Sequence, residues 1–195
     1  MPITTSKSLR ALYHPIGERS IKKELPQLDE HIIRFVGLSP FVVISSSDAH
    51  DGAHDASPRG GEPGFVKVVD PHTLLLPDAP GNNRLDTLEN IVSHGEGGAP
   101  LGLLFLVPGV DETLRINGRA WLSSDEPDLR LGAEAHRLPK LVVRVVVQTC
   151  YLHCAKALMR SHLWDASRYV ERSVLPSMGE MLRDQIREFH GEVLE

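Results

Sequence analysis

From Thr113 to Ser123 the chain alternates without a break. Leu114, Ile116, Gly118, Ala120 and Leu122 fall on one side, and Arg115, Asn117, Arg119 and Trp121 on the other. Successive side chains of a strand point to opposite faces, so this period of two predicts a strand packed on one face and polar on the other. Three further apolar runs accompany it. Leu101 to Val107, stopped by Pro108-Gly109, predicts a strand buried on both faces, and Lys140 to Cys150 carries five valines. Phe41-Val42-Val43-Ile44 is rich in β-branched residues and predicts a buried strand that opens the sheet. The connections are short, which favours hairpins over crossovers. The expectation is a mostly β fold, an antiparallel sheet closed into a barrel with helices at its flanks.

Those flanks are legible as well. Leu28, Ile32, Phe35 and Val36 share one face of a helix running from Pro26 to Gly37. Asp86-Thr87-Leu88-Glu89 reads as an N-cap followed three positions later by an acid, opening a short helix to about His94 with Leu88 and Ile91 inward. His153 to Trp164 predicts a short helix or ordered turn. Ser177-Met178-Gly179-Glu180 is a capping box, and Met178, Met181, Leu182, Ile186 and Phe189 form the apolar stripe of a terminal helix. Residues 45–64 read as a polar loop, and residues 1–19 as an arm packed over something else.

With 195 residues the chain is expected to form one domain, with an N-terminal arm over 1–25 and a helical extension over 174–195. The formal net charge of −5 argues against a nucleic-acid or anionic-membrane partner, which would need a basic face. No apolar run approaches the roughly 18 residues of a membrane span, and the first residues lack the apolar core of a signal peptide, so the expected address is cytoplasmic. Cys150 and Cys154 read as reduced thiols. A metal held by Cys150, His153 and Cys154 lacks a fourth ligand of evident spacing, and the two His and three Asp between Asp48 and Asp55 show no spacing that fixes a coordination geometry.

The chemistry concentrates between Ser57 and Arg84. Ser57-Pro58-Arg59-Gly60-Gly61 and Asp78-Ala79-Pro80-Gly81-Asn82-Asn83-Arg84 bracket two apolar runs, Phe65–Val69 and Thr73–Leu76. This predicts a β-hairpin with an arginine-bearing, glycine-rich turn at each end. Guanidinium forks match two oxygens of a phosphate, serine and asparagine add neutral donors, and glycines let the backbone approach. Two such turns can grip one phosphate or carboxylate from two sides. Ordinary surface ion pairs for Arg59 and Arg84 are the competing interpretation.

These segments resemble the pyridoxamine 5′-phosphate oxidase-like flavoproteins, as do Pro63-Gly-Phe-Val, Leu76-Pro-Asp, Pro80-Gly-Asn-Asn-Arg-Leu-Asp-Thr-Leu-Glu-Asn-Ile, Leu106-Val-Pro-Gly, Glu112-Thr-Leu-Arg-Ile-Asn-Gly-Arg-Ala and His153-Cys-Ala-Lys-Ala-Leu-Met-Arg-Ser-His-Leu-Trp. The resemblance covers roughly residues 28 to 168. It implies a split β-barrel and a homodimer with FMN at the subunit interface. By position, Ser57, Pro58, Arg59 and Gly60 would line the flavin ring and ribityl chain. Asn82, Asn83 and Arg84 would hold the phosphate, with Arg59 within reach of it. Arg115 and Asn117 would approach from the partner subunit, and Lys156, Arg160, Ser161 and Trp164 would close the site.

The function so implied is an FMN-dependent oxidoreductase acting on a small molecule, with no side chain evidently needed as a nucleophile. No Gly-x-Ser-x-Gly, nucleotide phosphate loop or Gly-x-Gly-x-x-Gly is present. A non-catalytic flavin or tetrapyrrole carrier on the same barrel, and a structural dimer whose arginines only make ion pairs, stand as alternatives.

Overall fold

Seven strands form one antiparallel ladder in the computed structural model, which describes residues 2–134 and 137–191. They are β1 (Phe41–Ser47), β2 (His54–Gly60), β3 (Lys67–Asp70), β4 (Thr73–Pro77), β5 (Ala99–Leu106), β6 (Thr113–Ser123) and β7 (Val142–His153). Their spatial order is β2-β1-β5-β6-β7-β4-β3. The ladder is not closed: β2 and β3 are its two edges, so the barrel is split, as the family resemblance implies, and is not the closed ring that the strand pattern alone suggests.

The alternation in β6 does what its period requires. Leu114, Ile116 and Ala120 are fully buried and meet Phe105, Leu103 and Ala99 of β5 and Leu152, Cys150 and Val145 of β7 across the ladder. Val42 and Ile44 of β1 continue that inward layer. Two helices cover it: α3 (Glu30–Leu38) through Ile32 and Val36, and α4 (Asp86–Ser93) through Leu88 and Ile91. Helix α3 begins where the Asp29 carboxylate accepts from the Ile32 N–H at 2.8 Å. Losing that cap in Asp29→Ala is expected to cost about 0.5–2 kcal/mol of stability, read as a shifted urea midpoint.

Close strand contact is bought at one glycine. The β6–β7 register shifts between Asn117 and Gly118, where Asn117 pairs with Thr149 and Gly118 with Val147, leaving Gln148 as the extra residue of a bulge. A Cβ on Gly118 would be driven into the Val146 carbonyl oxygen. Gly118→Ala is therefore expected to destabilise by about 1–3 kcal/mol, the range for overpacking, measurable by thermal unfolding.

Several expectations shift. Residues 45–64 are not one loop. Strand β1 runs on to Ser47 and pairs with β2, leaving only a turn in which Asp48 Oδ1 accepts from the His50 and Asp51 N–H groups. The polar composition hid this hairpin because β2 is an edge strand, with only alternate residues half-buried. Strand β5 buries one face; on the other, Leu104 and Leu106 are half-covered. The first helix is shorter than expected, starting at Glu30 and passing through Gly37 to Leu38.

The terminal segments remain outside the core. Helices α1 (Ser6–Arg10), α2 (Glu18–Lys22) and α7 (Met178–His190) contain no buried residue. The capping box of α7 forms as read, with Ser177 and Glu180 bonding each other's backbone N–H. Two short helices complete the chain, α5 (Glu126–Leu131) and α6 (Lys156–Ser161). Among the described residues no helix is long and apolar enough to cross a membrane.

Both cysteines are free thiols. Cys150 is buried and its Sγ donates to the Gln27 carbonyl at 3.1 Å; burial pushes its pKa up to about 11. At pH 8 alkylation is expected to label exposed Cys154 and leave Cys150 intact until the protein is unfolded, as mass spectrometry of timed samples would report.

Candidate functional site

Strand β2 sorts its residues by face. Asp55, Ser57 and Arg59 are half-buried and sit opposite Ser46, Ile44 and Val42, whose side chains point into the core. Ala56, Pro58 and Gly60 are exposed on the outward face. The Arg59 guanidinium donates through Nη1 to the Pro58 carbonyl at 3.0 Å.

The second arginine stands in the loop before α4. The Asn82 side-chain oxygen accepts from the Arg84 N–H at 3.0 Å, and Asn83 adopts a left-handed φ of 60°. Asparagine tolerates that conformation better than most residues, which suits this tight turn. Arg84 Nε donates to Asp86 Oδ2 at 2.6 Å. Asp86 thus orients Arg84 rather than capping α4, whose N-cap is Leu85 without a side-chain bond. This pairing holds the Arg84 guanidinium above its ordinary pKa, with a smaller contribution from the Asp55 charge. The Arg84 side chain is still 76% exposed, and its two terminal nitrogens are not the ones Asp86 uses.

A buried amide ties this loop region to β2. Asn90 of α4 donates to Asp55 Oδ2 at 2.7 Å and to Ser46 Oγ at 3.1 Å. Arg84 therefore lies within electrostatic reach of the strand that carries Ser57 and Arg59 two and four positions further on. The far end of β2 also meets the end of β4: Gly60, Phe65, Pro77, Asp78 and Ala79 contribute to one narrow cleft. The geometry corrects the sequence picture in one respect. The β3–β4 hairpin forms, but Ser57–Gly60 is the end of a strand, not a turn, and β2 lies at the opposite edge of the ladder from β3. What links the Arg84 loop to β2 is helix α4, through the bond from Asn90 to Asp55.

Arg115 and Asn117 project from the outward face of β6. Asn117 donates to Thr149 Oγ1 at 3.2 Å, and Arg115 Nη1 to the Tyr151 hydroxyl at 3.3 Å. Three strand spacings separate β2 from β6, roughly 14 Å, and the sheet stands between the two sets. Within one chain, Arg115 and Asn117 cannot share a ligand with Ser57 and Arg59.

The C-terminal set lies on and beyond α6. Arg160 Nε donates to the Lys156 carbonyl, Ser161 Oγ to the Leu158 carbonyl, and Trp164 Nε1 to the Val110 carbonyl at 2.9 Å. Trp164 thereby pins this segment to the β5–β6 turn. Lys156, Arg160 and Ser161 are exposed.

Sequence reasoning passed over a group beside Arg115. Lys23 Nζ sits 4.9 Å from the Tyr151 ring centroid and donates to the Leu152 carbonyl at 2.8 Å. The Arg115 guanidinium is 6.0 Å from the same ring, and the His153 ring is tilted against it with centroids 5.0 Å apart. Burial first, then the charges of Arg115 and Lys23, lowers the His153 pKa and favours the neutral ring. Only the cross-strand pairing of Arg115 with Tyr151 could have signalled this cluster; Lys23 arrives through Leu25, which bridges to Cys150. Elsewhere, among the described residues, no three His, Cys, Asp or Glu side chains are placed to hold a metal ion.

A family model described as pyridoxamine 5′-phosphate oxidase matches residues 28–154, more than half of the chain. No curated protein matches significantly. Among solved structures, a variant of HupZ from Group A Streptococcus superposes with a TM-score of 0.51 at 14% identity, covering 64% of this chain and 98% of that one. An FAD binding protein from Mycobacterium smegmatis gives a TM-score of 0.43 at 19% identity, over 65% of this chain and 97% of that one. An FMN-binding protein from Syntrophomonas wolfei gives 0.44 at 10% identity, over 76% and 96%. The HupZ likeness supports the fold alone.

Proposed function

The chain belongs to the pyridoxamine 5′-phosphate oxidase family, and we propose from that premise that it binds FMN and works as an FMN-dependent oxidoreductase on a small molecule. The observation that carries the reading is the placement of Arg84. Its guanidinium is fixed through Nε yet open at both terminal nitrogens, and it stands near the strand that bears Ser57 and Arg59. The donors fit a phosphate ester: two guanidiniums, a hydroxyl and the asparagine amides of the 82–83 turn.

Arg84 and Asn83 would hold the phosphate, with Asn82 setting the turn. Ser57, Pro58, Arg59 and Gly60 would line the ring and ribityl chain, and Lys156, Arg160, Ser161 and Trp164 would close the site. FMN, when bound, supplies hydride or electron acceptance at its N5 edge. The chain's own part is to orient the ring and to place positive charge near its pyrimidine end, where a cation favours developing negative charge.

Arg115 and Asn117 join this site only across a homodimer, because they face away from Ser57 and Arg59 in their own chain. The outward sheet face supports such a dimer. Leu104, Leu106 and Val43 are half-covered, and Phe41 is 37% exposed, an apolar row that a second copy would bury.

The test is the absorbance of purified protein in the flavin bands, followed by mass spectrometry of the released cofactor and anaerobic photoreduction with reoxidation by candidate acceptors. Bound FMN that is reduced and reoxidised supports the reading. Colourless protein that takes up no added FMN overturns it.

A further inference from the structure

The two ends of the chain carry apolar surface that the flavin reading does not use. Residues 3–21 and 169–189 hold 13 of the 25 exposed large apolar side chains among the described residues, Leu12, Tyr13, Leu182 and Phe189 with them. Both stretches lie outside the residues 28–154 that match the family model. Single exposed apolar side chains are ordinary on a protein surface, but this density is not. Helix α7 is 13 residues long, with a complete capping box and an apolar stripe, yet none of its residues is buried. A helix of that length is marginal in water without a surface to pack on. The course of this arm is set all the same. The Trp164 indole holds its start to the Val110 carbonyl, Asp165 Oδ1 accepts from the Ser167 N–H at 3.0 Å, and Arg172 Nη1 donates to the Leu175 carbonyl at 2.9 Å. An ordered arm that misses its own barrel presents its stripe to another surface.

Charge selects that surface. Residues 1–25 carry five basic side chains against two acidic ones, a net +3, and residues 165–195 carry four against seven, a net −3. Two apolar arms of opposite charge are complementary to each other. They also leave the barrel at one end. Leu25 bridges to Cys150, and Lys23 Nζ donates to the Leu152 carbonyl, one residue before β7 stops. Arg115 pairs with Tyr151 at this same end, so the arms are rooted beside a residue that the proposed dimer turns toward its partner. The outward row of Phe41, Val43, Leu104 and Leu106 is small for such a dimer, since a stable interface takes roughly 20–30 residues a side. We propose that the N-terminal arm of one copy packs on the C-terminal arm of a second copy, covering the apolar stripe of α7. A two-fold axis makes this contact twice and closes the assembly. The proposal rests on the homodimer of the preceding reading and is independent of its cofactor.

The test uses the full chain carrying Cys154→Ser, Leu12→Cys and Phe189→Cys, with buried Cys150 left in place. The folded protein is treated with a short bismaleimide, and the linked peptides are identified by mass spectrometry. Light scattering gives the mass of the untreated parent. The expected product is a covalent dimer in which position 12 of one copy is joined to position 189 of the other. Arg10→Glu with Arg19→Glu is expected to lower the yield of that product about three-fold or more, and adding Glu171→Arg with Glu188→Arg to recover it. A link from 12 to 189 within one chain, links only between like positions, or no link in a dimeric protein overturns the proposal. So does a yield indifferent to the first pair of charge reversals. Monomeric protein by light scattering removes the dimer and this proposal together. FMN uptake, read separately by absorbance, bears on the cofactor reading alone.

Discussion

Arg84→Ala is expected to lower FMN affinity by about 1.5–3 kcal/mol, the range for hydrogen bonds to a charged group, or roughly ten- to one hundred-fold or more in Kd. Two features of the site set the size. Arg84 is exposed, so solvent screens it and the effect should shrink as ionic strength rises. It is also paired with Asp86, which offsets its charge, so phosphate binding depends on the geometry of the fork more than on net field. Arg84→Lys keeps the charge and loses the fork, and is expected to recover only part of the affinity. Quenching of FMN fluorescence on binding gives both constants. Equal affinity for parent and Arg84→Ala protein would remove Arg84 from the phosphate site.

The largest stability effect is expected at Phe105. It is the bulkiest of the fully buried side chains, on β5 between β1 and β6, where it faces Val42 and Leu114. Phe105→Ala removes that volume from a layer shared by three strands, and about 3–5 kcal/mol of unfolding free energy should be lost. Denaturant unfolding at unchanged m-value would establish it; a loss below about 1 kcal/mol would mean that the split barrel collapses around the gap. FMN affinity should change little in molecules that remain folded, since Phe105 points into the core and Arg84 does not.

The reach of local reading can be followed strand by strand. Strand β6 was legible to the residue because one of its faces is buried and the other is not, which writes a period of two into the sequence. Helix α7 was legible because its capping box is a local device. Strand β2 was not. An edge strand with one ladder neighbour and alternate exposed positions can be built from His, Asp, Ser and Pro, and such composition also describes a loop. Asp86 looked like a cap because its spacing to Glu89 is right; its carboxylate instead bonds Arg84, a choice that depends on how the preceding turn folds.

What the chain determined on its own is the set of strands with strong apolar rows, their antiparallel sense, and the residue types able to hold a phosphate, since periodicity and side-chain chemistry are properties of neighbouring residues. Only the tertiary structure decided which of those residues share a face. The ladder order separates Ser57 and Arg59 from Arg115 and Asn117 by a sheet, and the bond from Asn90 to Asp55 ties α4, which follows the Arg84 loop, to the strand that carries the first pair. Strand order and the curl of an open sheet arise from contacts between residues far apart in the chain, and no local pattern records them.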